Sequence, residues 1–129
     1  MVLSIDTSKT SSIGLKLKQG SKILADKKIA ARLRQAEKLL PGIQQILEQE
    51  GLDISQVREI QVVVTGETFT GLRVGVVTAN ALVYALGIPI RAVDESGREK
   101  KKQIIQEKGF YIVFPEYQKP PNITTKYKD

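Results

Sequence analysis

Three carboxylates stand where they could do chemistry. Asp6 closes the apolar segment VLSID, Glu67 follows a second segment, IQVVV, and Asp94 follows a third, IRAV. If those segments are strands of one open sheet, their carboxyl ends share a crevice. Three acids gathered there could hold two Mg²⁺ ions for phosphodiester cleavage. The same two turns could instead face a phosphate. Asp6, Thr7 and Ser8 form the first; Gly66, Thr68, Thr70 and Gly71 form the second, which leads into a helix whose N-terminus attracts anions. Each signal has a plainer explanation. Asp94-Glu95-Ser96 opens a stretch that reads as a helix, where an acid favours the dipole, and Glu67 would repel a phosphate.

Composition narrows the chemistry. The 129 residues contain no Cys and no His. That excludes disulfides, thiol nucleophiles, His-based acid–base catalysis and His metal ligands. The formal charge is +6, and its location matters more than its size. Lys16, Lys18, Lys22, Lys27, Lys28, Arg32, Arg34 and Lys38 face only Asp26 and Glu37 in that stretch. This Lys16-to-Lys38 stripe could touch tRNA or another nucleic acid, although it holds no aromatic residue on which a base could stack. The plainer reading is a solvated hairpin face. No apolar run reaches the length of a membrane span and the first residues enter a strand directly, so a cytoplasmic location and no membrane contact are expected.

The elements that would position these residues are legible. Residues 2–6 read as a strand. Residues 12–18 alternate Ile13, Leu15 and Leu17 against Ser12, Gly14 and Lys16, the period of a half-buried strand. Gln19-Gly20-Ser21 is a tight turn into a third strand over 22–30, so two hairpins open the fold. Leu39, Leu40, Ile43, Ile46 and Leu47 form a helical stripe, with Pro41 expected in the first turn, where its missing N–H costs little, and Gly51 as the stop. Ile60, Val62, Val63 and Val64 suggest a strand buried on both faces. Thr68 or Thr70 can cap a helix over 69–86, ended by Gly87, with a strand over 88–93 after Pro89. A charged helix is expected over 94–108, stopped by Gly109, then a strand over 110–114. The expected division is a lobe at 1–114 and an extended tail at 115–129.

Three hairpin-linked strands followed by alternating helix and strand is the layout of a ribonuclease-H-like lobe, the actin-like ATPase half-domain: α/β, with a mixed five-stranded sheet and helices. Particular stretches point closer. VLSIDTS, AEKLLPGIQQILEQEGL and FTGLRVGVVTANALVYALGIPI resemble the bacterial TsaB (YeaZ) family. Phe69-Thr70-Gly71-Leu72-Arg73 matches that family's pattern fully, and Ala79, Leu82 and Gly87-Ile88-Pro89 match in register. Two departures stand out. The turn is Thr65-Gly66-Glu67-Thr68 where the family has GPGS, and the chain looks like a TsaB reduced to its first lobe. The resemblance spans residues 1–93, with a fainter echo at 114–124.

The resemblance implies a non-catalytic partner in making threonylcarbamoyladenosine on tRNA. Its partners would be a TsaD-like catalytic subunit and a TsaE-like ATPase, with a homodimer in their absence. It implies no cofactor beyond weak ATP, ADP or Mg²⁺ binding at the two loops, since actin-like ATPases close two lobes over their nucleotide. The runner-up is a Mg²⁺-dependent nuclease resembling Holliday-junction resolvases, using Asp6, Glu67 and Asp94. The residues agree with a partner role. Leu72, Val76, Ala79, Val83 and Leu86 can face the sheet, which leaves Val74, Val77, Ala81 and Tyr84 needing cover. With Leu33, Leu40, Ile43, Leu47 and Arg73 they make the expected interface. Arg73, near a helix N-terminus, is either a partner contact or tied to a carboxylate.

Overall fold

The alternating and helical patterns produce the elements they predict, with informative exceptions. The computed structural model describes residues 1–107 and 110–116. In chain order come β1 (Val2–Asp6), β2 (Ser12–Gln19), β3 (Lys22–Ala30), α1 (Gln35–Gln49), β4 (Glu59–Val63), α2 (Phe69–Leu86), β5 (Ile90–Val93), β6 (Ile104–Glu107) and β7 (Phe110–Val113). Short 3₁₀ turns occupy Ile54–Gln56 and Lys101–Gln103. The first five strands form one mixed sheet in the order β3-β2-β1-β4-β5. β2 pairs antiparallel with β1 and β3, and β4 runs parallel between β1 and β5.

Both helices lie on one face of this sheet and touch each other. The core between sheet and helices is built from Leu3, Ile5, Ile13, Leu15, Leu17, Ile60 and Val62 below, and Leu39, Ile43, Ile46, Val76, Ala79 and Val83 above. Gly42 lets α1 settle onto the sheet, because a Cβ there would strike the side-chain ends of Ile29 and Leu15. The helix ends follow local chemistry. The Thr68 hydroxyl accepts the Gly71 N–H at 3.1 Å, capping α2, and Gly87 closes it in the left-handed region at φ +66°. Gly51, also at φ +66°, follows α1.

Four expectations are corrected. β4 is fully covered only on the helix face, where Ile60, Val62 and Val64 are buried; on the other side Val63 is buried but Glu59 and Gln61 are half-buried. That side carries Ser4, Lys16, Lys18, Gln61 and Arg91 by register and is mostly polar, with Val63 and Val93 buried at its β4–β5 end. Pro41 lies inside α1, beyond its first turn, because the helix already begins at Gln35. Pro41 and Glu37 are both exposed, so water can serve the carbonyl that the proline leaves without an N–H. α2 is long and apolar enough by length and composition to cross a membrane, contrary to the sequence reading. It packs on the sheet through Leu72, Val76, Ala79 and Val83, as a core helix does.

The fourth concerns residues 94–107, which form no long helix. Asp94 Oδ1 accepts from Ser96 N at 2.9 Å and Arg98 N at 3.0 Å, and Gly97 takes φ +91°, so the chain turns back on itself. Lys100 N then donates to Ala92 O at 2.8 Å. The charged run offers no apolar stripe that would reward a helix. Ile104 and Ile105 instead enter β6, which pairs antiparallel with β7. The expected stop at Gly109 and the tail beyond residue 116 lie outside the described residues.

Asn80 fastens this hairpin to α2. Its Nδ2 donates to Val113 O and its Oδ1 accepts from Val113 N, both at 2.8 Å, so the amide acts as a strand's backbone would. Val113 is buried. Asn80→Ala leaves both backbone groups unserved, which costs about 2 kcal/mol. The expected result in urea unfolding is a loss of that size, with faster amide exchange at Val113 than at Val62.

Candidate functional site

The turns that leave β1 and β4 meet at the start of α2. Thr7 Oγ1 donates to Gly71 O at 2.6 Å, and Ser8 N donates to Asp6 Oδ1 at 2.9 Å. Glu67 N donates to Ser8 O at 2.9 Å, and Glu67 Oε1 accepts from Thr10 N at 2.9 Å. The fit is close: a Cβ on Gly66 would stand 2.7 Å from Ser8 Cα and 2.8 Å from Ser8 O. Gln35, buried at the first turn of α1, donates from Nε2 to Lys9 O at 2.6 Å and Ser12 O at 3.3 Å, holding the outer side of the first turn. Its sequence signal was a neutral polar residue in register with Leu39, Gly42 and Ile46, a position that on a buried stripe must find partners.

This arrangement bears directly on the candidate chemistry. The three carboxylates do not converge. Asp6 and Asp94 line a groove of about 270 Å³ on the polar sheet face, together with Lys16, Lys18 and Gln61. Glu67 is not part of that groove; its carboxylate is turned to Thr10. Asp94 is committed to its own turn. The Ser96 hydroxyl first, then the Arg98 backbone N–H, hold its carboxyl below the ordinary value of 3.8. Among the described residues no three acidic side chains are placed to hold a metal ion, so the three-acid nuclease arrangement is not assembled. The two turns also close directly on each other. Thr7 and Gly71 are bonded to each other, Gly66 touches Ser8, and a carboxylate already occupies the Thr10 N–H.

The predicted interface residues divide in two. Ile43 and Leu47 are buried at 3% and 4% exposure, as α1 turns them to the sheet; they belong to the core, contrary to expectation. The others reach the surface. Val77 is 62%, Leu40 55% and Leu33 90% exposed. Tyr84, Ala81 and Arg73 are exposed and Val74 is half-buried. Thr70, Arg73, Val77, Ala81 and Tyr84 recur every three to four residues, so they form a stripe on α2 opposite its core side. Ala36, Thr70, Arg73, Val74, Val77 and Thr78 line a groove of about 370 Å³ between α1 and α2. Among the described residues no carboxylate forms an ion pair with Arg73, so the expected mate is absent and the guanidinium is available to the groove.

The cations between residues 16 and 38 do not share a face. By register Lys16, Lys18 and Lys28 lie on the polar sheet face, while Lys27 points to the helices and donates to Gln45 Oε1 at 3.1 Å. Arg32 and Arg34 are exposed in the turn before α1 and Lys38 is exposed on that helix.

With the geometry in hand, comparison with known proteins is informative. YeaZ from Pseudomonas aeruginosa superposes with a TM-score of 0.63 at 28% sequence identity, over 72% of this chain and 42% of that one. An uncharacterized protein with similarity to peptidase YEAZ from Pseudomonas aeruginosa superposes with a TM-score of 0.66 over 89% of this chain and 63% of that one, at 21% identity, a likeness of fold. The chain therefore spans less than two thirds of the length of each of these relatives. No curated protein matches it. Residues 23–97 match the family described as "TsaD: tRNA N6-adenosine threonylcarbamoyltransferase". More than half of the chain lies within that match, and the chain belongs to this family as a YeaZ (TsaB)-like member with an α/β, actin-like fold.

Proposed function

We propose that this chain is a non-catalytic partner subunit in the threonylcarbamoyladenosine modification of tRNA, docking a TsaD-like catalytic subunit on the α1–α2 face. The observation that carries the reading is the exposed stripe of Arg73, Val77 and Ala81 on α2, on the side away from the core. A helix that is apolar on both sides, one against its own sheet and one against solvent, is suited to a second protein. Family membership supports a role in tRNA modification. The commitment of Glu67 to Thr10, away from the groove that Asp6 and Asp94 line, supports a role without chemistry of its own. In this reading the subunit works in the cytoplasm, a TsaE-like ATPase joins the pair, and a second copy of the chain takes the same face when no TsaD-like subunit is present.

Sedimentation velocity tests it, with the chain alone and mixed with the TsaD-type subunit of the same cell. The expected result is a one-to-one complex with that subunit and a dimer without it. A chain that stays monomeric at high concentration and leaves the TsaD-type subunit unshifted would overturn the proposal. In parallel, incubation with Mg²⁺ or Mn²⁺ and branched DNA is expected to leave the DNA intact.

A further inference from the structure

Among the described residues Leu33 is the one residue other than glycine with a positive φ, +59°. In that region the Cβ crowds a neighbouring carbonyl oxygen, so glycine or asparagine suits the position and a bulky side chain does not. Burial does not offset the strain, since Leu33 is 90% exposed. The turn is nevertheless fastened on both sides of it. Ala31 is buried, and its N–H donates to Ser11 O at 2.9 Å. Arg34 N donates to Ala31 O at 2.8 Å, and Gln35 is tied to Lys9 O and Ser12 O. The leucine side chain is therefore held out into solvent just before α1. Imposed strain of this kind clusters at sites that bind something.

The charges around the turn indicate what it binds. Arg32 and Arg34 flank the leucine, both exposed and neither ion-paired among the described residues. Gln35 Oε1 reaches the first turn of α2, 3.0 Å from where a Cβ on Gly71 would be. The Leu33 turn thus adjoins the end of the α1–α2 groove that Ala36, Thr70 and Arg73 line. Glu37 is the only acid between residues 27 and 47, and α2 carries Arg73 but no acid. This end of the docking face is an apolar tip flanked by guanidinium groups. We infer that Leu33 is a preformed anchor that enters an apolar socket rimmed by carboxylates on the TsaD-like subunit, with Arg32, Arg34 and Arg73 pairing with that rim. This rests on the docking proposed above and adds the chemistry of the partner's surface. A turn with an aliphatic tip and no aromatic residue fits a protein socket better than RNA, whose phosphates suit the arginines but whose bases need a stacking surface. Fastening the turn in the free chain leaves less to be ordered on contact.

Leu33→Asn and Leu33→Gly both accept the left-handed backbone, which separates binding from folding. The expected result is a urea midpoint for the free chain at or above the wild-type value, with affinity for the TsaD-type subunit, read by isothermal titration, lowered at least tenfold. Arg32→Ala combined with Arg34→Ala is expected to lower affinity too and to flatten its decline with added salt; an unchanged salt dependence would remove the acidic rim. A midpoint lowered in both leucine variants would mean that Leu33 serves the fold, and the anchor would be lost as an explanation. Affinity lowered less than tenfold in both, with Val77→Glu still unable to bind, would overturn the anchor and leave the docking face standing. A wild-type chain that does not bind the subunit would overturn both. Titration with tRNA completes the set: variants that lose affinity for tRNA and keep it for the subunit would assign the turn to RNA instead.

Discussion

Val77→Glu is expected to abolish binding to a TsaD-type subunit while leaving the fold intact. Val77 sits halfway along α2 with 62% of its surface exposed, and it lines the groove between the two helices with Val74 and Arg73. Its neighbours one turn either way on the same side, Arg73 and Ala81, are also exposed. The core contacts of α2 run through Val76, Ala79 and Val83, which the substitution does not touch. In the free chain a glutamate at this position stays in water, so circular dichroism and the urea midpoint should change little. In the proposed complex it would be buried in the contact, where an anchor position carries about 2–4 kcal/mol. That converts to a dissociation constant weakened roughly 30- to 700-fold. Arg73 lies one turn away, but a new pair with it at a partly wet groove gains only about 0.5 kcal/mol, too little to reverse the sign. Glu48→Lys is the control: it is exposed on α1 and lines the neighbouring groove rather than this one, and it should shift binding far less. Undiminished affinity of Val77→Glu would show that the contact lies elsewhere.

Legibility followed the range of the interactions. α2 runs over residues 69–86 as its sequence suggested, since Thr68 and Gly87 are local signals that act on the next few residues. The opening hairpins were equally plain, because alternation and the turn at Gly20, φ +60°, are local too. The face that α1 turns to the sheet was harder. Ile43 and Leu47 look like surface candidates until Gly42 is seen against Ile29 and Leu15, a contact that depends on β2 and β3. Residues 94–107 failed for the same reason. Adjacent Ile104 and Ile105 suit helix or strand, and the decision came from pairing with β7 and from Asn80, which holds that hairpin from 33 positions away. Glu67 was visible as a departure from the GPGS pattern, but its partner, the Thr10 N–H, could not be read from the sequence.

Gly66→Ala is expected to be the most destabilising single-methyl change in the chain's two turns, and the reason separates sterics from conformational freedom. Gly66 is not in the left-handed region, so its backbone would accept alanine. What forbids the methyl is the first turn, since the Cβ would stand 2.7 Å from Ser8 Cα and 2.8 Å from Ser8 O. These are backbone atoms and cannot rotate aside as a side-chain end can. Relief requires the Asp6–Thr10 turn to retreat from the start of α2. That breaks the Glu67 N to Ser8 O bond and lengthens Glu67 Oε1 to Thr10 N, both 2.9 Å in the native chain. Overpacking of this kind with linked hydrogen-bond loss costs about 3 kcal/mol. Gly42→Ala provides the comparison. Its methyl would meet the side-chain ends of Ile29 and Leu15, which can change rotamer, so a loss of about 1 kcal/mol is expected. Urea unfolding of the two variants should therefore rank Gly66→Ala clearly below Gly42→Ala. Amide exchange in Gly66→Ala should rise first at Thr10 and Glu67, while β2 and β3 stay protected. Equal stabilities, or exchange that rises uniformly across the sheet, would mean that the two turns yield together and that their contact is not what fixes the start of α2.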